Sequence, residues 1–158
     1  MRHRSLPLVA VVAIATACAS SASTGTTVSL SGDPSITWGP APAVFPPGAQ
    51  LAVLGGDPSK TGEFTVRLRM PAGYKIPPHT HPTDENVTVV SGAFKVGMGN
   101  TFDASAMKTL PQGGFVTAPQ GMAHYAMAVG ETIVQVHAIG PFVLTYVNPA
   151  DAPKADQR

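Results

Sequence analysis

The chain has one cysteine in 158 residues, so no intramolecular disulfide can brace it. Charge is scarce: Asp, Glu, Lys and Arg make up 12% of positions and the formal balance is +1. That leaves no basic patch for nucleic acid or for an anionic membrane surface. Aromatic residues are few, at 6%, with a single tryptophan. Long apolar runs are missing as well. The longest, Leu6 to Ala17, falls short of the roughly 20 residues that a spanning helix needs. No internal repeat of solenoid period is visible. What is abundant is turn chemistry, with 16 Gly and 16 Pro. Without a collagen-like period this composition predicts an all-β domain with frequent corners, and the length suits one domain.

The first residues read as a targeting segment. Arg2 and Arg4 give a positive start, separated by His3 so that no twin-arginine pair forms, and the apolar run suits a signal h-region. Ala15-Thr16-Ala17 is a small-x-small cleavage site directly before Cys18. Residues 1–17 are therefore expected to be a signal peptide, and the protein to be exported. Two outcomes stay open at Cys18: lipidation, with Ala17-Cys18-Ala19-Ser20 resembling a bacterial lipobox, or cleavage to a plain periplasmic or secreted protein. Removal of 1–17 leaves 8 basic against 9 acidic side chains. Residues 18–35, rich in Ser, Thr and Gly, read as a flexible tether, which would make a lipid anchor the only membrane contact. The folded domain is expected over 36–148 and a polar tail over 149–158.

Within that domain the apolar period is mostly two. Phe64, Val66, Leu68 and Met70 alternate with Thr65, Arg67 and Arg69, which predicts a strand with one core face. Further strands are predicted over Asn86–Val90, Phe94–Met98, Phe115–Ala118, Tyr125–Val129, Thr132–Ile139 and Phe142–Val147. Gly and Pro turn signals separate them. One helix is predicted, Asp103 to Leu110, with Asp103 as its cap. Phe94, Met98, Phe115 and Met122 are expected in the core or in a cavity wall, and Tyr125 in packing. Many short strands at this spacing favour a sandwich or a closed barrel.

His79-Thr80-His81 is the most informative tripeptide. On an extended strand residues i and i+2 share a face, so both imidazoles can aim at one point. Glu85 follows after a Pro82-Thr83-Asp84 bend, in which Asp84 reads as a turn residue, and His124 follows Pro119-Gln120-Gly121. Three imidazoles and one carboxylate suit one divalent ion among Mn, Fe, Co, Ni, Cu and Zn. They leave room for water or substrate to complete its coordination.

These residues stand in two spaced motifs. The first reads Gly73, five residues, His79-x-His81, three residues, Glu85, six residues, Gly92. The second reads Gly113, five residues, Pro119-x-Gly121, two residues, His124, three residues, Ala128. Both resemble the paired motifs of the cupin superfamily in order and spacing, apart from Ala128 where the family has Asn, which puts local strand contacts in doubt. The resemblance implies a double-stranded β-helix, or jelly-roll barrel, with the metal held inside by His79, His81, Glu85 and His124. It extends to small single-domain cupins and to the zinc-binding cupin domain of some anti-sigma factors. Homodimerisation through the sheets is one state it implies, which nothing in this sequence fixes.

Other polar residues are weighed against packing roles. His137 shares a strand face with Ile133, Gln135 and Ile139. If that face lines the cavity, Gln135 and His137 could orient a substrate; otherwise His137 is a hydrogen-bonded structural residue. Arg67 and Arg69 could bind an anionic substrate in the barrel or lie solvated outside it. The expected function is that of a metal-dependent enzyme on a small organic molecule, by oxidation or dioxygenation, or else by isomerase or lyase chemistry. The alternative is a non-catalytic module that binds or senses a small ligand or metal ion.

Overall fold

A computed structural model describes residues 36–154. The signal segment, Cys18 and the tether up to residue 35 lie outside the described residues. The chain runs through β1 (Gly39–Pro40), β2 (Gln50–Gly55), β3 (Gly62–Met70), β4 (Lys75–Thr80), β5 (Glu85–Ser91) and β6 (Ala93–Met98). It continues through β7 (Lys108–Pro111), β8 (Phe115–Ala118), β9 (His124–Ala128), β10 (Thr132–Gly140) and β11 (Thr145–Tyr146), and ends in a 3-10 turn at Pro149–Asp151. Two antiparallel sheets result, ordered β1-β2-β3-β10-β5-β8 and β11-β4-β9-β6-β7. This is the jelly-roll, double-stranded β-helix arrangement that the cupin-like motifs imply.

The period-two pattern of β3 explains how the sheets meet. Phe64, Val66, Leu68 and Met70 are buried, and the intervening Thr65, Arg67 and Arg69 are not. β10 pairs with β3 in unbroken register from Thr132 opposite Met70 to Gly140 opposite Gly62. Val134, Val136 and Ala138 therefore share the inner face with Leu68, Val66 and Phe64. From the other sheet Ile76, Phe94, Val96, Ala126 and Ala128 complete the core. Burying a side chain of Val or Phe size contributes about 1.5–3 kcal/mol.

Two glycines are required by what surrounds them. Gly92, at the end of the first motif, turns β5 into β6 at φ +78°, and a Cβ there would lie 2.4 Å from the Glu131 carbonyl oxygen. At Gly97 a Cβ would lie 2.3 Å from the Tyr125 ring. That bare position lets Tyr125 pack flush across β6, 1% exposed, with its hydroxyl donating to the Asp103 carbonyl at 3.2 Å. Ala128, in the place of the motif's Asn, is fully buried opposite Phe94. Its backbone carries the local contacts instead: Gly73 N–H donates to its carbonyl and its own N–H donates to Tyr74 O, both at 2.9 Å.

Three expectations are corrected. Asp103 to Leu110 is not a helix. Asp103 Oδ1 accepts from the Ser105 N–H (2.8 Å) and hydroxyl (2.6 Å), closing a turn, and β7 then pairs with β6 with Leu110 opposite Phe94. An isolated helix that short is marginal, whereas pairing packs Leu110 against the core. Of Phe142–Val147 only Thr145–Tyr146 is strand, pairing with Thr80 and His79. Met98, Phe115 and Met122 are 44–58% exposed, and of that group only Phe94 is core.

Candidate metal centre

The two sheets each supply donors. His79 and His124 face each other as a cross-strand pair between β4 and β9. Glu85 opens β5 in the opposite sheet, and His81 lies in the link from β4 to β5. One donor atom from each of the four lies within 4.8 Å of the others. Glu85 Oε2 is 3.1 Å from His124 Nε2 and 3.8 Å from His81 Nε2. The imidazoles are 3–5% exposed.

Backbone carbonyls fix how the imidazoles point. His79 Nδ1–H donates to Pro77 O (2.7 Å), His81 Nδ1–H to Val143 O (2.8 Å) and His124 Nδ1–H to Met122 O (3.0 Å). A carbonyl can only accept, so in each ring Nδ1 carries the proton and Nε2 turns inward, as metal-ligating histidines are usually held. His81 Nε2 is buried with no hydrogen-bond partner. An orphaned buried lone pair of this kind, aimed at two imidazoles and a carboxylate, fits a bound cation.

The electrostatics point the same way. Burial above all, then the charge of His124, drives the His79 pKa down to about 3. Burial likewise lowers that of His81. Burial would also lower His124, but its hydrogen bond to Glu85 and the carboxylate's charge outweigh that and hold it above the ordinary histidine value. For Glu85 burial works to raise the pKa, and the bond from His124 with the neighbouring imidazoles prevails to lower it. The cluster thus keeps His79 and His81 neutral around an ionised carboxylate, and neutral imidazoles are the form that ligates.

Loops on either side are stitched to the donors. The Gly121 N–H of the Pro119-x-Gly121 turn donates to the His81 carbonyl at 2.9 Å. Asp84, expected only as a turn residue, accepts from the Gln120 N–H at 2.7 Å and joins the loop before Glu85 to the loop before His124. Two contributors carry no sequence signal. The Phe142 ring stacks on His81 at 4.1 Å and 15° between planes, and Val143 supplies that histidine's backbone acceptor.

Gln135, His137, Arg67 and Arg69 are not among the residues that line the donor cavity. Val134, Val136 and Ala138 take the inner face of β10, and alternation turns Gln135 and His137 outward. There Arg67 Nε donates to Gln135 Oε1 at 3.1 Å, Thr65 Oγ1 pairs with His137 Nδ1 at 3.1 Å, and Arg69 Nη1 donates to Gln50 Oε1 at 3.2 Å. The Arg69 guanidinium also lies 4.1 Å above the Trp38 ring. The four side chains lie on the outer face of the six-stranded sheet in three separate pairings.

The donors line a cavity of about 250 Å³ together with residues such as Val66, Val87, Phe94, Val136 and Phe142. Apart from the donors, the one polar side chain among the lining residues is Ser59, whose hydroxyl is committed to Asp57 Oδ1 at 2.7 Å.

This fold and this donor set are those of a cupin. The profile of the ChrR cupin-like domain matches residues 33–143, and the chain belongs to that family. A curated relative, the auxin-binding protein ABP19b of Prunus persica, is 34% identical over 45% of this chain; the match spans 34% of that relative's length. Among solved structures, a proposed acetylacetone dioxygenase of Methylibium petroleiphilum superposes with a TM-score of 0.57 at 24% identity, over 76% of this chain and 81% of that one. A salicylate 1,2-dioxygenase of Pseudaminobacter salicylatoxidans gives 0.53 at 18% identity, over 66% of this chain and 32% of that one.

Proposed function

We propose that the protein is a metal-dependent enzyme of the cell envelope, acting on a small organic molecule by oxidation or dioxygenation, with isomerase or lyase chemistry as the next choice. The observation that carries this reading is the convergence of three inward Nε2 atoms and one carboxylate on a single point of an apolar cavity. His79, His81, Glu85 and His124 would hold one divalent transition metal. Such an ion supplies Lewis acidity, activation of water or binding of dioxygen when present. The likeness in fold to a proposed acetylacetone dioxygenase and a salicylate 1,2-dioxygenase supports the reading without selecting the reaction.

The chain's own residues have definable parts. The carbonyls of Pro77, Val143 and Met122 hold the protons of the three imidazoles outward. Glu85 would supply the negative charge that offsets the cation. The donors are buried among Val and Phe side chains, a setting that strengthens electrostatic interactions between them. No further titratable side chain lines the cavity among the described residues, so proton transfer falls to the donors themselves or to the substrate.

The test is elemental analysis of protein from its source organism, coupled to oxygen uptake with catechols, diketones and small acids. One metal per chain and turnover, both lost in His81→Ala, is the expected result. Protein that stays metal-free in replete medium would refute the reading. One metal with tight ligand binding and no turnover would establish a binding module instead.

A further inference from the structure

We propose that Met98 and Met122 are modification sites, oxidised by peroxide to sulfoxides, and that their oxidation loosens the hold of the centre on its cation. The second half rests on the metal reading above; the first does not.

Strand registers put Met98 at the end of the imidazole row. Tyr146 lies opposite His79 between β11 and β4, His79 opposite His124 between β4 and β9, and His124 opposite Met98 between β9 and β6. Directly opposed residues share a face, with Cβ atoms about 4.5–5.5 Å apart. Phe94 and Val96 line the cavity, so alternation along β6 puts Met98 on the same inner face. The two ends of the row differ. Tyr146 is buried, whereas β7 covers β6 only as far as Val96 and leaves Met98 44% exposed. A solvent-exposed thioether is thus the direct neighbour of a buried donor.

Met122 reaches the same donor through its backbone. Its carbonyl accepts the His124 Nδ1–H at 3.0 Å, and the N–H of Gly121, one residue earlier, donates to His81 O at 2.9 Å. The turn that holds Met122 therefore braces two of the four donors, and its side chain is 46% exposed. The other described methionines are less open: Met107 and Met127 are half-buried, and Met70 is fully buried.

Peroxide oxidises a thioether without help from a metal. The sulfur lone pair attacks one peroxide oxygen, and the O–O bond breaks as the S–O bond forms. The departing hydroxide takes the proton of the transferred oxygen and leaves as water. Sulfur gives up two electrons and peroxide takes them. A flexible apolar side chain becomes a polar one with a strong acceptor. On Met98 that oxygen must be hydrated at the edge of an apolar face, which draws water toward His124. On Met122 it disturbs the turn that orients His124 and ties down His81. Methionine sulfoxide reductases return the sulfur to the thioether; two thiols become a disulfide and the oxygen leaves as water.

Zinc suits the test because it takes no part in redox chemistry. Zinc-loaded protein is treated with hydrogen peroxide, and its sulfoxides are mapped by peptide mass spectrometry. Zinc affinity is read before and after by competition with a chromogenic chelator. Met98 and Met122 are expected to oxidise first and Met70 last. Affinity should fall about ten-fold, as when an outer partner of a ligand is lost. Treatment with the reductases should restore it. Met98→Leu and Met122→Leu together keep apolar side chains of similar size and retain Cys18, so thiol oxidation is common to both proteins. Peroxide should leave the affinity of that double variant unchanged. Equal losses in the two proteins, undiminished affinity in the oxidised wild type, or failure of the reductases to restore binding would each overturn the proposal. If the double variant does not fold, the reductase arm decides alone. Untreated protein that takes up no zinc would overturn the metal reading and the second half of this one, and the oxidation map would still decide the first.

Discussion

His81 is held from three sides: Phe142 against its face, the Val143 carbonyl on Nδ1, and the Gly121 N–H on its own carbonyl. Its Nε2 is thus aimed before any cation arrives, and an aimed donor loses little freedom on ligation. Outer partners of this kind are commonly worth about 10–100-fold in metal affinity. Phe142→Leu keeps an apolar side chain at the cavity wall but removes the stacked plane. We expect it to weaken metal binding by about ten-fold, measured by competition with a chelator, with the metal-free protein folded as before. Unchanged affinity would mean that the carbonyl alone orients the ring. At this scale the sequence was informative about the donors and silent about their supports. His79, His81, Glu85 and His124 sit in local patterns with fixed spacing. Val143 lies 62 residues from the ring it orients, a contact that no local period encodes.

Among the elements, β3 and β10 show where period-based reading works and where it fails. β3 alternates apolar with polar, so its faces are told apart by inspection. β10 carries Ile133 and Ile139 on its outer face and Val134, Val136 and Ala138 on its inner one. Both faces are apolar enough to be the core face, and only the register with β3 decides between them. The placement of Gln135 and His137 turned on that choice. β2 gives no period-two signal because Leu51-Ala52-Val53-Leu54 is continuous rather than alternating, and β4 is visible only through His79, since Pro77-Pro78 interrupts any strand pattern.

The stretch from Pro42 to Pro46, with Val44 and Phe45 on the cavity, is tied down by two tyrosines. Tyr74 donates to Pro46 O, and Tyr146 to Val44 O at 2.8 Å. Burial, with Asp151 adding to it, raises Tyr146 to about 12, and burial with Tyr146 raises Tyr74 as well. A phenol whose folded pKa exceeds its unfolded value of about 10 gives stability that is complete below pH 10 and lost as pH climbs toward the folded value. Denaturant midpoints are therefore expected to fall between about pH 10 and 12, with Tyr146→Phe showing a shallower decline. An equal decline in both proteins would remove Tyr146 as a cause.

For the molecule as a whole, the motifs made the barrel legible because a cupin's ligands sit where its strands turn. Spacing and fold are then one constraint. The division of strands between sheets was not legible, because it depends on pairings such as β3 with β10 whose partners are far apart in the chain. Envelope location is proposed from the sequence of residues 1–18 alone, which lie outside the described residues. Cys18→Ser is expected to move the protein from the membrane to the soluble fraction in cell fractionation. An unchanged distribution would leave a plain exported protein.

The bond from His81 to Val143 ties a donor in the first half of the barrel to a residue near the last strand. Synthesis reaches that residue only after every other donor has been made. A ribosome-bound or clipped chain ending before Phe142 would own all four side chains yet lack the clamp that sets one of them. A cation in the proposed site is then expected to be held less tightly by such a chain than by the finished barrel.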